Sequence, residues 1–246
     1  MSNWKDTLVS GVQQLPPRIC VYGPGGIGKS TFASQFPSPI YISTEDGLAS
    51  LDVTSFPKAK HVNDVSNSIK TLIKEDHEFK TLVVDSVDWL EALIINDVEA
   101  THDAKDLAFG KGQVMVAESF REILQGMDVL RRKKDMNIVL VAHSAIVRFD
   151  SPITEPYDRY TCKLTTRNNA LLQEWVDLLA FVNYKVLVKR ADVGFNTTKS
   201  RGITTGERLL HMVETPAYVA KNRYALPEEI ELNYKEFAKL VPIVGE

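Results

Sequence analysis

Cysteine is scarce. Only Cys20 and Cys162 occur in 246 residues, too few for the disulfide framework that holds small secreted scaffolds together. Cys20 stands inside an apolar run and reads as a small buried side chain. Long hydrophobic runs are missing as well, since none approaches the roughly 20 residues that span a bilayer. The opening Met1-Ser2-Asn3-Trp4-Lys5-Asp6 lacks the basic region and apolar core of a secretory leader. The expectation is a cytoplasmic protein with no membrane partner. Nor does one sign of charge prevail: 29 basic against 32 acidic side chains leave a net charge of -3. The field of the whole molecule therefore does not gather nucleic acid, and any such contact must come from a local basic surface.

What is present is ordinary globular composition, 44% hydrophobic and 25% charged. Residues 18–22 read as a buried strand ending in a Gly-rich loop, and 29–36 as a helix stopped by Pro37. Strands follow at 40–42, 81–84 and 137–141, with helices predicted at 66–74 and 87–98. Val116, Phe120, Ile123, Met127 and Leu130 recur at helical spacing and predict an amphipathic helix. The polar stretches 99–112 and 144–166 read as loops. Residues 178–188 and 208–213 read as strands joined by the polar segment 191–206, and Asn233 with Glu236 suggests a capping box for a helix over 234–240. Strand–helix alternation predicts an α/β fold, a mainly parallel sheet flanked by helices with antiparallel strands added at the C-terminal edge. Without a linker or repeat, the chain reads as a single domain over 1–246, with 1–16 as an N-terminal extension and a core over about 17–240.

The sharpest signal is Gly23-Pro24-Gly25-Gly26-Ile27-Gly28-Lys29-Ser30, followed by Thr31, which fits the phosphate-binding pattern G-x-x-x-x-G-K-[ST]. Its glycines let successive N–H groups turn inward on an anion, and the following helix offers its free N–H groups. Lys29 would place a charge at the β- and γ-phosphates, and the Ser30 hydroxyl would ligate Mg²⁺. Asp85 ends the apolar strand Val83-Val84-Asp85, where a carboxylate can hold the same ion. It is also a candidate helix cap, although Ser86 could serve there instead. Glu45, just past the second strand, can orient the attacking water, or it belongs to the turn Glu45-Asp46-Gly47. No Asn-Lys-x-Asp guanine-reading tetrapeptide occurs.

Gly23 to Thr31, Glu45, Val83-Val84-Asp85-Ser86-Val87 and Val141-Ala142-His143 together resemble a RecA-type recombinase ATPase core. More narrowly, the chain is similar to small phage-encoded RecA-like nucleotide-binding proteins of the single-strand annealing and recombination group. Phe109-Gly110-Lys111-Gly112, Tyr157-Asp158-Arg159-Tyr160, Glu174-Trp175-Val176-Asp177 and Ala220-Lys221-Asn222-Arg223 resemble later motifs of that group, so the likeness covers about residues 17–235. The resemblance implies an ATP- and Mg²⁺-dependent hydrolase with Lys29 and Glu45 catalytic and His143 as a γ-phosphate sensor. It also implies a homo-oligomer, ring or filament, in which Lys221 and Arg223 reach the ATP of a neighbouring subunit. The alternatives are that Lys221 and Arg223 form a solvated basic pair and that His143 is a ring satisfied by a loop carbonyl.

The two predicted loops occupy the places where RecA-like proteins carry DNA-binding loops. They and their flanks hold Lys105, Lys111, Arg148, Arg159, Lys163 and Arg167, with Phe109, Phe149, Tyr157 and Tyr160 available for base stacking. Acidic residues interleave with them, and 185–201 is a rival basic stretch. The cluster Arg131-Arg132-Lys133-Lys134 reads as a solvated helix end. The expected function is a Mg²⁺-dependent ATPase of phage recombination or annealing, binding single-stranded DNA beside a single-strand-binding protein or other recombination proteins. The alternatives are a nucleotide-switched annealing protein with little turnover, or a helicase-like motor or loader.

Overall fold

The apolar strands line up in parallel because both of their faces are covered. A computed structural model of the chain describes residues 8, 10–11, 14–192 and 198–245, with side chains described outside 187–204. Strand β1 (Arg18–Gly23) lies between β5 (Asn137–Phe149) and β7 (Leu178–Asp192), and β4 (Thr81–Asp85), β2 (Pro39–Ser43) and β3 (Thr54–Ser55) continue beyond β5. All of these pairings are parallel. Strands β8 (Thr198–His211) and β10 (Glu229–Glu231) add antiparallel at the β7 edge, where β9 (Lys221–Asn222) also pairs. The expected mainly parallel α/β sheet with an antiparallel C-terminal edge is the one observed.

Period-two alternation divides the core. Cys20, Tyr22, Ile42, Val84 and Leu140 face one side, packed with helices α2 (Val62–Lys74), α3 (Val87–Thr101), α5 (Lys111–Lys133) and α6 (Thr166–Trp175). Ile19, Val21, Tyr41, Val83 and Val141 face the other, where Phe32 of α1 (Lys29–Ala33) meets Tyr234 and Phe237 of α7 (Tyr234–Ala238). In register, Val21 pairs with Val141, Val141 with Asp85 and Asp85 with Ser43. The carboxyl ends of β1, β4 and β2 thereby lie close to level beside the middle of β5, which is where a doubly wound sheet receives its ligand.

Several expectations are corrected. The stretch 99–112 is not a loop: α3 runs to Thr101, α4 (Ala104–Leu107) and a 3-10 turn follow, and α5 begins at Lys111. Phe109 at φ 55 and Gly110 at φ 81 make the break between these helices. The stretch 144–166 is not a loop either. β5 runs past its buried half to Phe149 and returns as β6 (Tyr157–Cys162), an antiparallel hairpin whose connection holds Pro152 and Pro156, with α6 starting at Thr166. Much of 191–206 belongs to β7 and β8, and 193–197 lie outside the described residues. Helix α1 ends at Ala33 and α7 at Ala238, each shorter than expected. Asn233 caps α7 by accepting from Lys235 N, while Glu236 pairs with Lys239 instead of closing the box. Arg131 is buried rather than solvated, because it ion-pairs with Asp177. No helix among the described residues is long and apolar enough to cross a membrane.

Candidate nucleotide site

The Gly-rich loop leaves β1 at Gly23, which packs so closely on β7 that an added Cβ would stand 2.3 Å from the Val182 carbonyl oxygen. The loop closes at Gly28, whose φ of 102° suits glycine and which caps α1. A Cβ here would meet Arg208 Nη1 at 2.5 Å, and that guanidinium donates to the Ile27 carbonyl at 3.1 Å. Lys29 is buried, and its ammonium donates to the carbonyls of Gly23 (3.0 Å) and Pro24 (2.8 Å). Burial lowers the Lys29 pKa, opposed by the negative charges of Asp85, Asp88 and Glu45. Gly26, Gly28, Lys29, Ser30 and Thr31 line a cleft of about 320 Å³ with Glu45, Asp46, Asp85 and His143.

Across the cleft, β2 and β4 are locked at their ends. Thr44 Oγ1 donates to the Ser86 carbonyl (2.7 Å) and accepts from Ser86 N (2.9 Å), while Thr44 N bonds the Asp85 carbonyl (2.9 Å). Ser86 is the residue before α3, but its hydroxyl makes no cap bond. Asp85 is 3% exposed, and its Oδ2 has no protein partner. Burial pushes the Asp85 carboxyl up, against the pull of neighbouring Ser30 and Lys29. A buried carboxylate oxygen left free beside the Ser30 hydroxyl fits a hard cation. Mg²⁺ takes one or two protein oxygens and completes its shell with phosphate and water. No cluster of three or more His, Cys, Asp or Glu that could hold a metal exists among the described residues.

Glu45 and His143 approach from opposite sides, with Nε2 of the ring 4.0 Å from Glu45 Oε1. Burial raises the Glu45 pKa, offset in part by His143. His143 is gripped from behind by Asp88, which takes its backbone N–H at 3.0 Å and its Nδ1 at 2.9 Å. The Asp88 bond raises the pKa of His143 above the ordinary histidine value, against the effect of burial. Burial alone would raise Asp88, but its bonds to His143 outweigh that and leave it below the ordinary aspartate value. Sequence reading missed Asp88. An acidic residue in a first helical turn reads as a complement to the dipole, and its partner lies 55 positions away.

The model of the AAA domain family matches residues 15–224. The chain belongs to that family. Nucleotide binding through the P-loop is what this membership carries. Among curated proteins none matches the chain. Among solved structures, one described as the crystal structure of the RadB recombinase is similar at 16% identity, over 88% of this chain and 86% of that one, with a TM-score of 0.48.

The remaining expected residues of this AAA domain lie apart from the cleft. Lys221 donates to the carbonyls of Gln173 (2.7 Å) and Glu174 (2.8 Å), closing the end of α6, and Arg223 Nη1 pairs with Asp177 at 2.9 Å. Both sit beside the start of β7, away from the carboxyl end of β1 where Gly23 stands. The six nucleic-acid candidates do not form one stripe. Lys105 on α4, Lys111 on α5, Lys163, and Arg167 on α6 are exposed. Arg167 lines a larger, mainly apolar groove of about 520 Å³ between α3, α5 and α6. On the hairpin, Val147 opposes Arg159 and Arg148 opposes Asp158, so Arg148 and Arg159 point to opposite faces. Arg159 lies 4.0 Å over the Phe149 ring and pairs with Glu214, while Arg148 pairs with Asp150. Tyr160 stacks on Phe181 within the protein, which removes it from the base-stacking set. Of the rival stretch 185–201, Lys185 is paired with Glu207, and the other basic side chains lie outside the described ones.

Proposed function

We propose that this AAA domain is a RecA-like, Mg²⁺-dependent ATP hydrolase of phage origin that acts on single-stranded DNA in recombination or annealing. It would work as a homo-oligomer in the host cytoplasm, alongside single-strand-binding or other recombination proteins. The observation that supports the hydrolase is the convergence on one cleft of Lys29, the partner-free oxygen of Asp85, Glu45 and His143. The DNA role rests on the motif resemblance and on the exposed Lys105, Lys111, Lys163 and Arg167.

In this reading the loop from Gly23 to Thr31 cradles the phosphates. Lys29 exchanges its two carbonyl partners for phosphate oxygens, moving a charge already stored in the cleft onto the substrate. Ser30 and Asp85 would hold Mg²⁺, which when bound would supply positive charge against the transferring phosphoryl group. Glu45, with its raised pKa, accepts a proton from the attacking water and orients it. His143 Nε2 reports the γ-phosphate. Lys221 and Arg223 would serve a neighbour's ATP only after leaving the carbonyls and the carboxylate that hold them.

The deciding experiment is ATP hydrolysis by the purified chain, with and without single-stranded DNA. DNA-stimulated hydrolysis that disappears in Glu45→Gln is the expected result. Absence of hydrolysis under both conditions, in protein shown to be folded, overturns the reading. The internal engagement of Lys221 and Arg223 favours one second reading, a nucleotide-switched annealing protein with little turnover. Annealing that survives Glu45→Gln would select it, and ATP-driven unwinding would select a motor or loader instead.

A further inference from the structure

Asp88 has no part in the mechanism above, yet its carboxylate is buried and both of its oxygens bond His143. A carboxylate accepts and does not donate, so Nδ1 of His143 carries a proton. The second ring nitrogen, Nε2, is the one that approaches Glu45, and both line the cleft. The Glu45 carboxylate and the oxygens of a terminal phosphate also accept. A neutral ring protonated on Nδ1 would turn a bare lone pair toward them, whereas a doubly protonated ring donates on both sides.

We propose that Asp88 is a positioning residue that makes His143 a two-sided donor, so that Nε2–H bonds the γ-phosphate of ATP and distinguishes it from ADP. This rests on the ATP reading given above. Among the described residues, the charged groups around the ring are Asp88 on α3, Glu45 after β2, Asp85 on β4 and Lys29 on α1; burial and Lys29 oppose its protonation, and the three carboxylates favour it. The raised pKa of His143 agrees with the geometry. Asp88 also ties the ring to α3, since the same carboxylate holds the backbone at His143. Recognition of the third phosphate thus depends on a residue that does not touch it.

The test compares equilibrium binding of ADP and a non-hydrolysable ATP analogue to the full chain, together with ¹⁵N NMR of the His143 ring. Asp88→Asn leaves an acceptor in place and removes the charge. The expected result is a loss of about tenfold in the preference for the ATP analogue over ADP, the size of one charge-assisted hydrogen bond. ADP affinity should hold, and the ring nitrogens should move from imidazolium toward neutral positions at neutral pH. A purely structural role for Asp88 would not move the NMR signature in that way. In a His143→Gln background, Asp88→Asn should change the preference no further. An unchanged preference with an unchanged imidazolium overturns the inference, as does a loss that persists in His143→Gln. Wild-type protein that binds neither nucleotide overturns the ATP reading itself, and the inference with it. Wild-type binding with a silent Asp88→Asn removes the role of Asp88 alone.

Discussion

Two clusters of buried charge sit at different places on the same sheet, and they are finished to different degrees. Around Asp177, at the start of β7, Arg18 Nη2 (2.9 Å), Arg131 Nη2 (3.1 Å) and Arg223 Nη1 (2.9 Å) pair with one carboxylate, which also accepts from Arg18 N. Around Asp85, at the end of β4, one carboxylate oxygen has no partner and Lys29 rests on backbone carbonyls. Both clusters are desolvated. Their pKa values move in opposite directions: burial would raise Asp177, but Arg18 and Arg131 hold it below the ordinary value, while Asp85 stays raised. A saturated charge cluster contributes to holding the fold. An unsaturated one costs stability and, on the function proposed above, stands ready for a ligand.

Breaking the saturated cluster should have the largest effect. Asp177→Ala strands the buried Arg131 and leaves Arg18 only its pair with Asp128 (3.2 Å), so it is expected to destabilise the chain by about 3–5 kcal/mol, the usual cost of stranding a buried partner. Denaturant melts measure it, and affinity for ATP in the remaining folded protein should hold. Because the Asp177 pKa is depressed on folding, its contribution is complete above the ordinary aspartate range and is lost as pH falls through the folded value. Acid unfolding should therefore begin at higher pH in Asp177→Asn than in wild type.

Lys29→Ala is the mirror experiment at the unsaturated cluster. It should lower ATP hydrolysis by about 10²–10³-fold, as loss of one preorganised donor does, with little change in the melting curve. Asp85→Asn sharpens the contrast further. Removing an uncompensated buried charge should stabilise the nucleotide-free chain by about 0.5–2 kcal/mol, seen as a raised Tm, while Mg²⁺ ceases to strengthen nucleotide binding. If Asp85→Asn lowers the Tm instead, the two clusters are alike and the comparison fails. For Glu45, a base must be ionised, so the acid limb of the pH–rate profile should lie above the ordinary glutamate range.

The smallest effect is expected for Arg223→Ala. Its side chain is 50% exposed in the pair with Asp177, and such pairs contribute about 0.2–1 kcal/mol. A loss of hydrolysis far beyond that, restored by mixing Arg223→Ala with Lys29→Ala protein, would instead show that the residue acts between subunits.

The legible part of the molecule was the part written in consecutive residues. The glycines, Lys29 and Ser30 are contiguous, and Asp85 is a polar residue ending an apolar run, whereas Glu45 reads equally well as part of a turn and is singled out by the family resemblance. Register then brought those ends level, as alternating strands and helices imply. The unread part depends on partners remote in sequence. Arg131 looked like one more cation in a basic helix end, and its burial is accounted for by Asp177, 46 residues on, and by the Pro16 carbonyl, 115 residues back. The hairpin of β5 and β6 was hidden because its first strand continues a buried one without punctuation and its connection holds two prolines. Nothing local marks Arg208 as a neighbour of the phosphate loop or Asp88 as the partner of His143.

Arg208 carries a consequence for where the working unit ends. It reaches the phosphate loop from β8, a strand outside the parallel sheet, and fills the space that a side chain at position 28 would need. The antiparallel margin thus braces the loop from outside, as a splint steadies a joint. A fragment cut before that margin would retain the complete glycine signature and lose its splint. The minimal unit that binds a nucleotide is therefore defined by where its loop is shored up, well beyond the last letter of the motif.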